Sequence, residues 1–581
     1  MKKLLLLLVI FSACQTTERK EIPTFETRFE KSGGTETATY AEGIAFYQNM
    51  ADAYPEIEIR EMGMTDSGKP LHLVTYSADG EFDFEQIHRS GKAVMLINNA
   101  IHPGEPDGIE ASMMFLRDVV TGETMQQTKN DLVLAIIPFY NIGGVLYRNG
   151  STRANQNGPV EYGFRGNARN YDLNRDFIKG DTRNAQSFWE IFQEVDPDFF
   201  LDTHVSNGAD YQYTMTLIET QKDKLSLPMR DVMAKEISPL LYGGMEAAGD
   251  AMTPYVNVYG TTPDSGFSQF GDWPRYSTGY AALFNTFAYM SETHMLKPYD
   301  RRVQSTYSLI TVMYETLYNK REMILGARKK AKEYVAETQQ EFPVKWKLDR
   351  DFSTTLNFKG YEASYIDSEI TSQKRLFYDK SKPFEKTIPY RNQYLEDVVV
   401  TKPSYYVIPQ GWHRVVSFLK ANKVKMMELE RDSAITVTAY QIDDYKTATS
   451  VYEGHYTHYG LKLSKRKTSI PFRTGDLLVK LDQPVNRFVI ETLEPEAEDS
   501  YFKWNFFDMI LSSKEGFSAY VFEELAKEIL AADEELAAAY REKQAADEEF
   551  ASNRYAQLGW IYERSVYKEP MHLRYPIFRI D

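Results

Sequence analysis

The sequence predicts an α/β domain with helices on both faces of its sheet. A β-rich accessory domain and a helical C-terminal segment follow it. Three observations carry this. Apolar stretches of strand length alternate with stretches of helical spacing through the first half of the chain. Two of them, 92–99 (KAVMLINN) and 131–139 (DLVLAIIPF), are nearly continuously apolar, as strands covered on both faces are. From about residue 342 the pattern changes to alternating segments rich in β-formers with polar turns between them.

Taken in order, residues 38–52 have helical spacing. Residues 57–62 and 71–76 read as strands, joined by the turn-forming Thr65-Asp66-Ser67-Gly68-Lys69-Pro70. The strand over 92–99 leads to His102, and 109–120 is a helix. After the strand over 131–139 comes a helix over 184–195. A short strand over 199–202 ends at His204, and a strand over 284–290 ends at Glu292. A long helix, about 306–339, closes the domain. Open α/β sheets bind ligands beyond their strand ends, where His102, His204 and Glu292 are all expected. In the second half, 398–407, 434–440 and 476–481 read as strands and 412–422 as an inserted helix. The Glu/Ala/Lys-rich stretch 521–550 reads as an exposed helix or hairpin packed along one stripe. The expected divisions are 1–14, 15–35 as a polar tether, 36–340 as catalytic domain, 341–500 as accessory domain and 501–581 as helical segment.

At 581 residues the chain exceeds one core. Its 43% hydrophobic and 26% charged content is that of a folded protein, and a net charge of −16 argues against a nucleic-acid partner. Lys2 and Lys3 precede an apolar run, residues 4–11, too short to span a bilayer, and then Ser12-Ala13-Cys14. This reads as a lipoprotein signal peptide. Cleavage would leave a lipidated Cys14 that anchors the protein to a bacterial membrane, on the periplasmic or cell-surface side of the envelope. Cys14 is the single cysteine, so no intramolecular disulfide forms and the fold rests on its cores and its metal.

His102 and Glu105 lie three apart on a strand-to-helix loop, and His204 comes from another strand. A His₂Glu set with a fourth position left for water is a catalytic zinc arrangement. Each residue has a plainer reading: His102 as a helix cap, His204 in Leu201-Asp202-Thr203-His204 as a core histidine. Their combination outweighs it. His455 and His458 have a metal-like spacing, but in a β-like segment they read as surface residues. His294 lies two past Glu292 and is given no ligand role. The stretch 165–175 is dense in arginine, and a guanidinium forks onto a carboxylate through two hydrogen bonds. Glu292 ends a buried strand (FAYMSE). Desolvation there should raise its pKa toward the working range of a general base.

These residues resemble the zinc carboxypeptidases of the M14 type, over roughly residues 38–335. His102-Pro103-Gly104-Glu105 is similar to the form in the cytosolic carboxypeptidase branch. The R-x-N-A-x-x-x-D-L-N-R pattern is matched by Arg165, Asn167, Ala168, Asp172, Leu173, Asn174 and Arg175. The resemblance implies a mixed sheet flanked by helices and one Zn2+ per chain on His102, Glu105 and His204. It implies Arg165 as oxyanion stabiliser, Asn174 and Arg175 as holders of the substrate's terminal carboxylate, and Glu292 as general base and then acid. The expected partner is a peptide with a free C-terminal carboxylate. The family's N-P-D-G appears here as Asn141-Ile142-Gly143-Gly144. Arg153 could take the place of Arg165, and Tyr259, Tyr276 and Tyr280 compete to cap the substrate, Tyr259 being preferred. Two rival readings are a zinc amidase or deacylase acting on cell-wall peptides or N-acyl amino acids, and a degenerate envelope binding protein.

Overall fold

The structure, a computed structural model, describes residues 24–581. The expected signal peptide, Cys14 and the first part of the tether lie outside these residues. From residue 24 the chain is already packed. Phe25 and Phe29 are buried, and the short helix Arg28–Lys31 is closed by a reciprocal Thr27–Glu30 capping box. Residues 24–35 are therefore part of the folded domain, where a tether was expected.

The first half of the chain is built on one eight-stranded mixed sheet. Its strands are β1 (Ile57–Met64), β2 (Pro70–Tyr76), β3 (Ala93–Asn98), β4 (Leu132–Ile137), β5 (Phe199–Ser206), β6 (Met215–Glu219) and β7 (Thr253–Pro254). After the two-residue β8 (Phe267–Ser268), which lies outside this sheet, β9 (Phe287–His294) completes it. The order is β1-β2-β4-β3-β5-β9-β6-β7, with β4, β3, β5 and β9 parallel and the flanking pairs β1–β2, β2–β4 and β9–β6 antiparallel. Every residue of β3, β4, β5 and β9 is buried, because helices cover both faces. The helices Tyr40–Ala53, Asp107–Thr121 and Tyr299–Asn319 pack on one face, and Arg183–Val195 on the other.

Two expectations change. β5 and β9 run past His204 and Glu292 to Ser206 and His294, so both residues lie inside strands. The ladder continues because backbone pairing does not require apolar side chains, and β6 extends it on the far side of β9. The long closing helix is two helices, Tyr299–Asn319 and Arg321–Glu333, broken at Lys320 (φ −114°, ψ 14°).

The second half contributes β10 (Glu341–Leu348), β11 (Thr354–Asp367), β12 (Lys374–Arg391), β13 (Tyr394–Thr401), β14 (Tyr405–Ile408), β15 (Met427–Glu428), β16 (Ser433–Thr447), β17 (His458–Phe472), β18 (Leu477–Lys480) and β19 (Phe578–Ile580). The β11–β12 hairpin is an exposed arm that attaches to β8. The β16–β17 hairpin belongs to a six-stranded sheet of order β15-β18-β14-β19-β16-β17. The expected helical segment over 501–581 therefore ends as a strand of this sheet. Between them, residues 519–562 form four short helices. The breaks fall at Asp533, Asp547 and Asn553, each in an extended conformation with its side chain capping the next helix. The two halves share one apolar core: Trp189 meets Phe418 edge-on at 5.0 Å, and Phe284 lies 5.3 Å from Phe488. Among the described residues no helix is long and apolar enough to cross a membrane.

Candidate active site

The chain leaves β3 through Ala100, which adopts a left-handed φ of 58°, and turns so that His102 and Glu105 precede the helix Asp107–Thr121. Gly108 lets this helix start close against β5. A Cβ there would lie 2.1 Å from Thr203 Oγ1, beside His204. His204 in turn pairs with Glu292 across the parallel β5–β9 ladder.

These placements bring three donor atoms to one point. His102 Nδ1, Glu105 Oε2 and His204 Nδ1 form a triangle with edges of 3.2, 3.2 and 3.1 Å. All three residues are only 3% exposed, so the donors converge in a buried pocket. The opposite ring nitrogens are both occupied: His102 Nε2 lies 2.8 Å from Asp172 Oδ1, and His204 Nε2 lies 3.0 Å from Asp202 Oδ2. A carboxylate at Nε2 holds the proton there and turns the Nδ1 lone pair toward the triangle. Tetrahedral zinc, with ligand bonds of 2.0–2.2 Å, sets its donors about 3.3 Å apart. The residues present fit that ion.

Glu105 Oε1 accepts from Arg153 Nη1 at 2.6 Å and Arg165 Nη1 at 3.3 Å, while Oε2 accepts from the Val205 amide at 2.9 Å. Burial pushes this carboxyl up, but His102 and Arg153 outweigh it and hold it well below the usual range. Glu292 stands in the opposite condition. Burial pushes it up to about 8, with His204 opposing the shift and Glu105 adding to it. Two acidic groups side by side are thus separated in proton affinity by their surroundings.

The two arginines offered for one role occupy different places. Arg153 is enclosed: Nε donates to Gln156 Oε1, Nη1 to Glu105 and Nη2 to the Val205 carbonyl. Its side chain is 16% exposed, against 43% for Arg165. Arg165 is anchored along one edge by Asp172 Oδ2, at 2.9 Å from Nε and 2.8 Å from Nη2, while Nη1 reaches to 3.2 Å from His102 Nδ1. Asn141, just before Ile142 and Gly143, donates to the Arg165 carbonyl at 2.9 Å and so steadies that strand of loop. Asn174 and Arg175 ride on the turn Leu173–Arg175, capped by Asp172. Arg175 lies over the Tyr276 ring at 4.8 Å.

A cleft of about 810 Å³ joins these groups, with Arg165, Asn174, Arg175, Tyr255, Phe270 and Glu292 on its walls. Of the three tyrosines, Tyr259 is exposed at the rim and hydrogen-bonds the Tyr255 hydroxyl. Tyr276 is pinned under Arg175, and Tyr280 is sealed in the core against Asn422. His294 also borders the cleft. Nε2 lies 3.0 Å from the Ala209 carbonyl and Nδ1 accepts from the Leu296 amide, and burial lowers its pKa to about 4.

The sequence reading of His455 and His458 as surface residues is corrected. His455 is half-buried with Nε2 2.6 Å from Asp181 Oδ2, and His458 is buried with Nε2 3.0 Å from Asp508 Oδ1. His455, at the hairpin tip, meets the first half of the chain through Asp181, while His458, at the start of β17, packs within the second half. Sequence reasoning placed Asp172 in the motif without a role and gave none to Asp202. The signal for Asp202 was local, two residues before His204 on one strand and so on the same face. Nothing in sequence joins Asp172 to His102.

Fold and donor set together define a metallohydrolase-type centre on a mixed α/β sheet. Residues 44–230 match the family described as zinc carboxypeptidase. Carboxypeptidase 2 of Trichophyton rubrum is 22% identical over 433 residues, covering 71% of this chain and 73% of its own. Carboxypeptidase 2 of Trichophyton tonsurans is 21% identical over 431 residues, covering 71% and 73%. A metallo-carboxypeptidase structure from Burkholderia cenocepacia covers 47% of this chain and 68% of its own, at 16% identity and a TM-score of 0.35.

Proposed function

We propose that the protein is a zinc-dependent carboxypeptidase that removes the C-terminal residue of peptides. The observation that carries this reading is the His102–Glu105–His204 triangle, with Glu292 beside it on the next strand. Those three residues hold the ion, which when bound polarises a carbonyl and acidifies water. Asn174 and Arg175 hold the substrate's terminal carboxylate, the guanidinium supplying a charge-assisted pair of hydrogen bonds. Arg165, a partly exposed cleft residue held on Asp172, donates to the carbonyl oxygen as it becomes an oxyanion. A Glu292 carboxylate oxygen takes the proton of the attacking water and returns it to the leaving amine. Tyr259 closes the rim over the substrate. Arg153, offered as a substrate ligand by sequence, serves instead to orient Glu105.

The same reading includes lipidation at Cys14 and a place in a bacterial envelope, supported by the Lys2-Lys3, apolar and Ser12-Ala13-Cys14 pattern. The test is direct. The enzyme is incubated with paired peptides, one with a free C-terminus and one amidated, and the products are weighed. Loss of one residue from the free peptide alone, abolished by chelation and restored by zinc, is expected. Equal cleavage of both, or of neither, overturns the proposal.

A further inference from the structure

The β16–β17 hairpin reaches from the accessory half to the edge of the cleft. Its tip, residues 452–455, is closed by two backbone bonds, Tyr452 N–H to the His455 carbonyl at 2.8 Å and His455 N–H to the Tyr452 carbonyl at 3.0 Å. Both central residues have positive φ, 47° at Glu453 and 81° at Gly454. A two-residue turn of this kind favours Asn or Gly at its first position. Glutamate there is a poor local choice, so its reason must lie outside the turn.

Three contacts supply it, all to one loop of the catalytic half. Glu453 Oε2 accepts from the Asp172 amide at 2.9 Å, across 281 residues of chain. Gly454 lies flat on Tyr171, where a Cβ would come within 2.7 Å of the hydroxyl. His455 pairs with Asp181 at 2.6 Å. Asp172 is the hub of the site. Its carboxylate meets His102 Nε2, the Asn174 amide and the Arg165 guanidinium. The turn it caps carries Asn174 and Arg175.

We propose that the 452–455 tip is a positioning element for the carboxylate-binding turn, with Glu453 fixing the backbone of Asp172 and so setting substrate affinity. Glu453 touches no reacting atom. It acts through the turn, where a displacement of an ångström weakens a bidentate pair. The proposal rests on the carboxypeptidase reading.

The full-length enzyme tests it with peptides bearing a free C-terminus. E453A is expected to raise KM about 10-fold with kcat within about threefold of wild type. E453Q, which keeps an acceptor for the Asp172 amide, is expected to retain a near-normal KM. G454V keeps Glu453 but drives a side chain into Tyr171, and is expected to raise KM as E453A does; it decides the matter should E453A not fold. Amide exchange at Asp172 is expected to quicken in E453A. An unchanged KM in E453A, or equal impairment of E453A and E453Q, overturns the positioning role while leaving the activity standing. A wild-type enzyme that shortens no peptide overturns the carboxypeptidase reading itself, and the positioning role with it.

Discussion

His204 and Glu292 are Cα partners on two parallel strands, each two residues short of the strand's end. The spacing between the proposed third metal ligand and the proposed base is therefore set by the backbone ladder. Loop motion at the cleft mouth leaves it unchanged. The neighbouring pair Asn98–Asp202 belongs to the same arrangement: Asn98 Nδ2 donates to Asp202 Oδ1 at 3.0 Å, and Asp202 holds the outer nitrogen of His204. Rigid support of this kind suits a site whose groups must meet within a fraction of an ångström.

Glu292 stands beside the donor triangle and is not one of its corners. Replacing it with glutamine removes the proton acceptor and leaves the three donors in place. We expect E292Q to lower kcat by at least about 100-fold, the usual worth of a positioned general base, with zinc content by mass spectrometry unchanged. A kcat within tenfold of wild type would remove Glu292 from its role.

The outer carboxylates would act on a bound metal through the imidazoles. Asp172 and Asp202 each hold an Nε2 proton and so present Nδ1 as the donor. Replacement by asparagine should weaken zinc binding by about 10- to 100-fold. Competition titration with a chromogenic chelator measures it. Retained affinity in D202N, in a protein with native circular dichroism, would show that the histidines need no such support.

Arg175 and Arg153 should separate cleanly. Arg175 lies along the cleft and over Tyr276, so R175A should raise KM for free-carboxylate peptides by about 100-fold, the loss of a charge-assisted pair. Arg153 is spent on Glu105 and the Val205 carbonyl, so R153A should act first on zinc retention. Initial-rate kinetics at saturating zinc distinguish the two. The same KM rise in R153A would return that residue to the substrate site.

Much of this was legible in the sequence, for particular reasons. β3 and β4 stood out because both faces are covered and every position but Asn98 is apolar. His102, Glu105, His204, Asn174 and Arg175 stood out through short motifs whose spacing the chemistry constrains. The ends of β5 and β9 did not, since the mostly polar residues from Thr203 to Ser206 and from Ser291 to His294 read as loop, yet pair through their backbones. The β11–β12 arm was hidden too. With most of its side chains exposed, it lacks the in-and-out alternation that marks a half-buried strand. The stretch 521–550, expected as one helix or a hairpin, is instead divided at Asp533 and Asp547, where capping side chains compete with the helical backbone. The contacts of Asp172 with His102 and Glu453 escaped notice because these partners are remote in sequence.

Glu219 gives a stability test that leaves the catalytic groups untouched. It ends β6 as the register partner of Tyr289, and Ser238 donates a hydrogen bond to it. Burial raises its pKa from 4.5 to about 7, the Ser238 bond opposing. Below pH 4.5 the carboxyl is protonated in both the folded and the unfolded chain, and folding is indifferent to it. Between there and pH 7 the unfolded chain ionises while the folded one keeps its proton, so stability falls as pH rises. Above pH 7 both are ionised and the loss is complete. E219Q cannot ionise and escapes the loss. It should match wild type near pH 4.5 and exceed it at pH 8 by roughly 1–3 kcal/mol. Urea unfolding of both proteins across that range measures the difference. A gap that stays constant with pH would mean that Glu219 reaches water in the native state and titrates as it does in the unfolded chain.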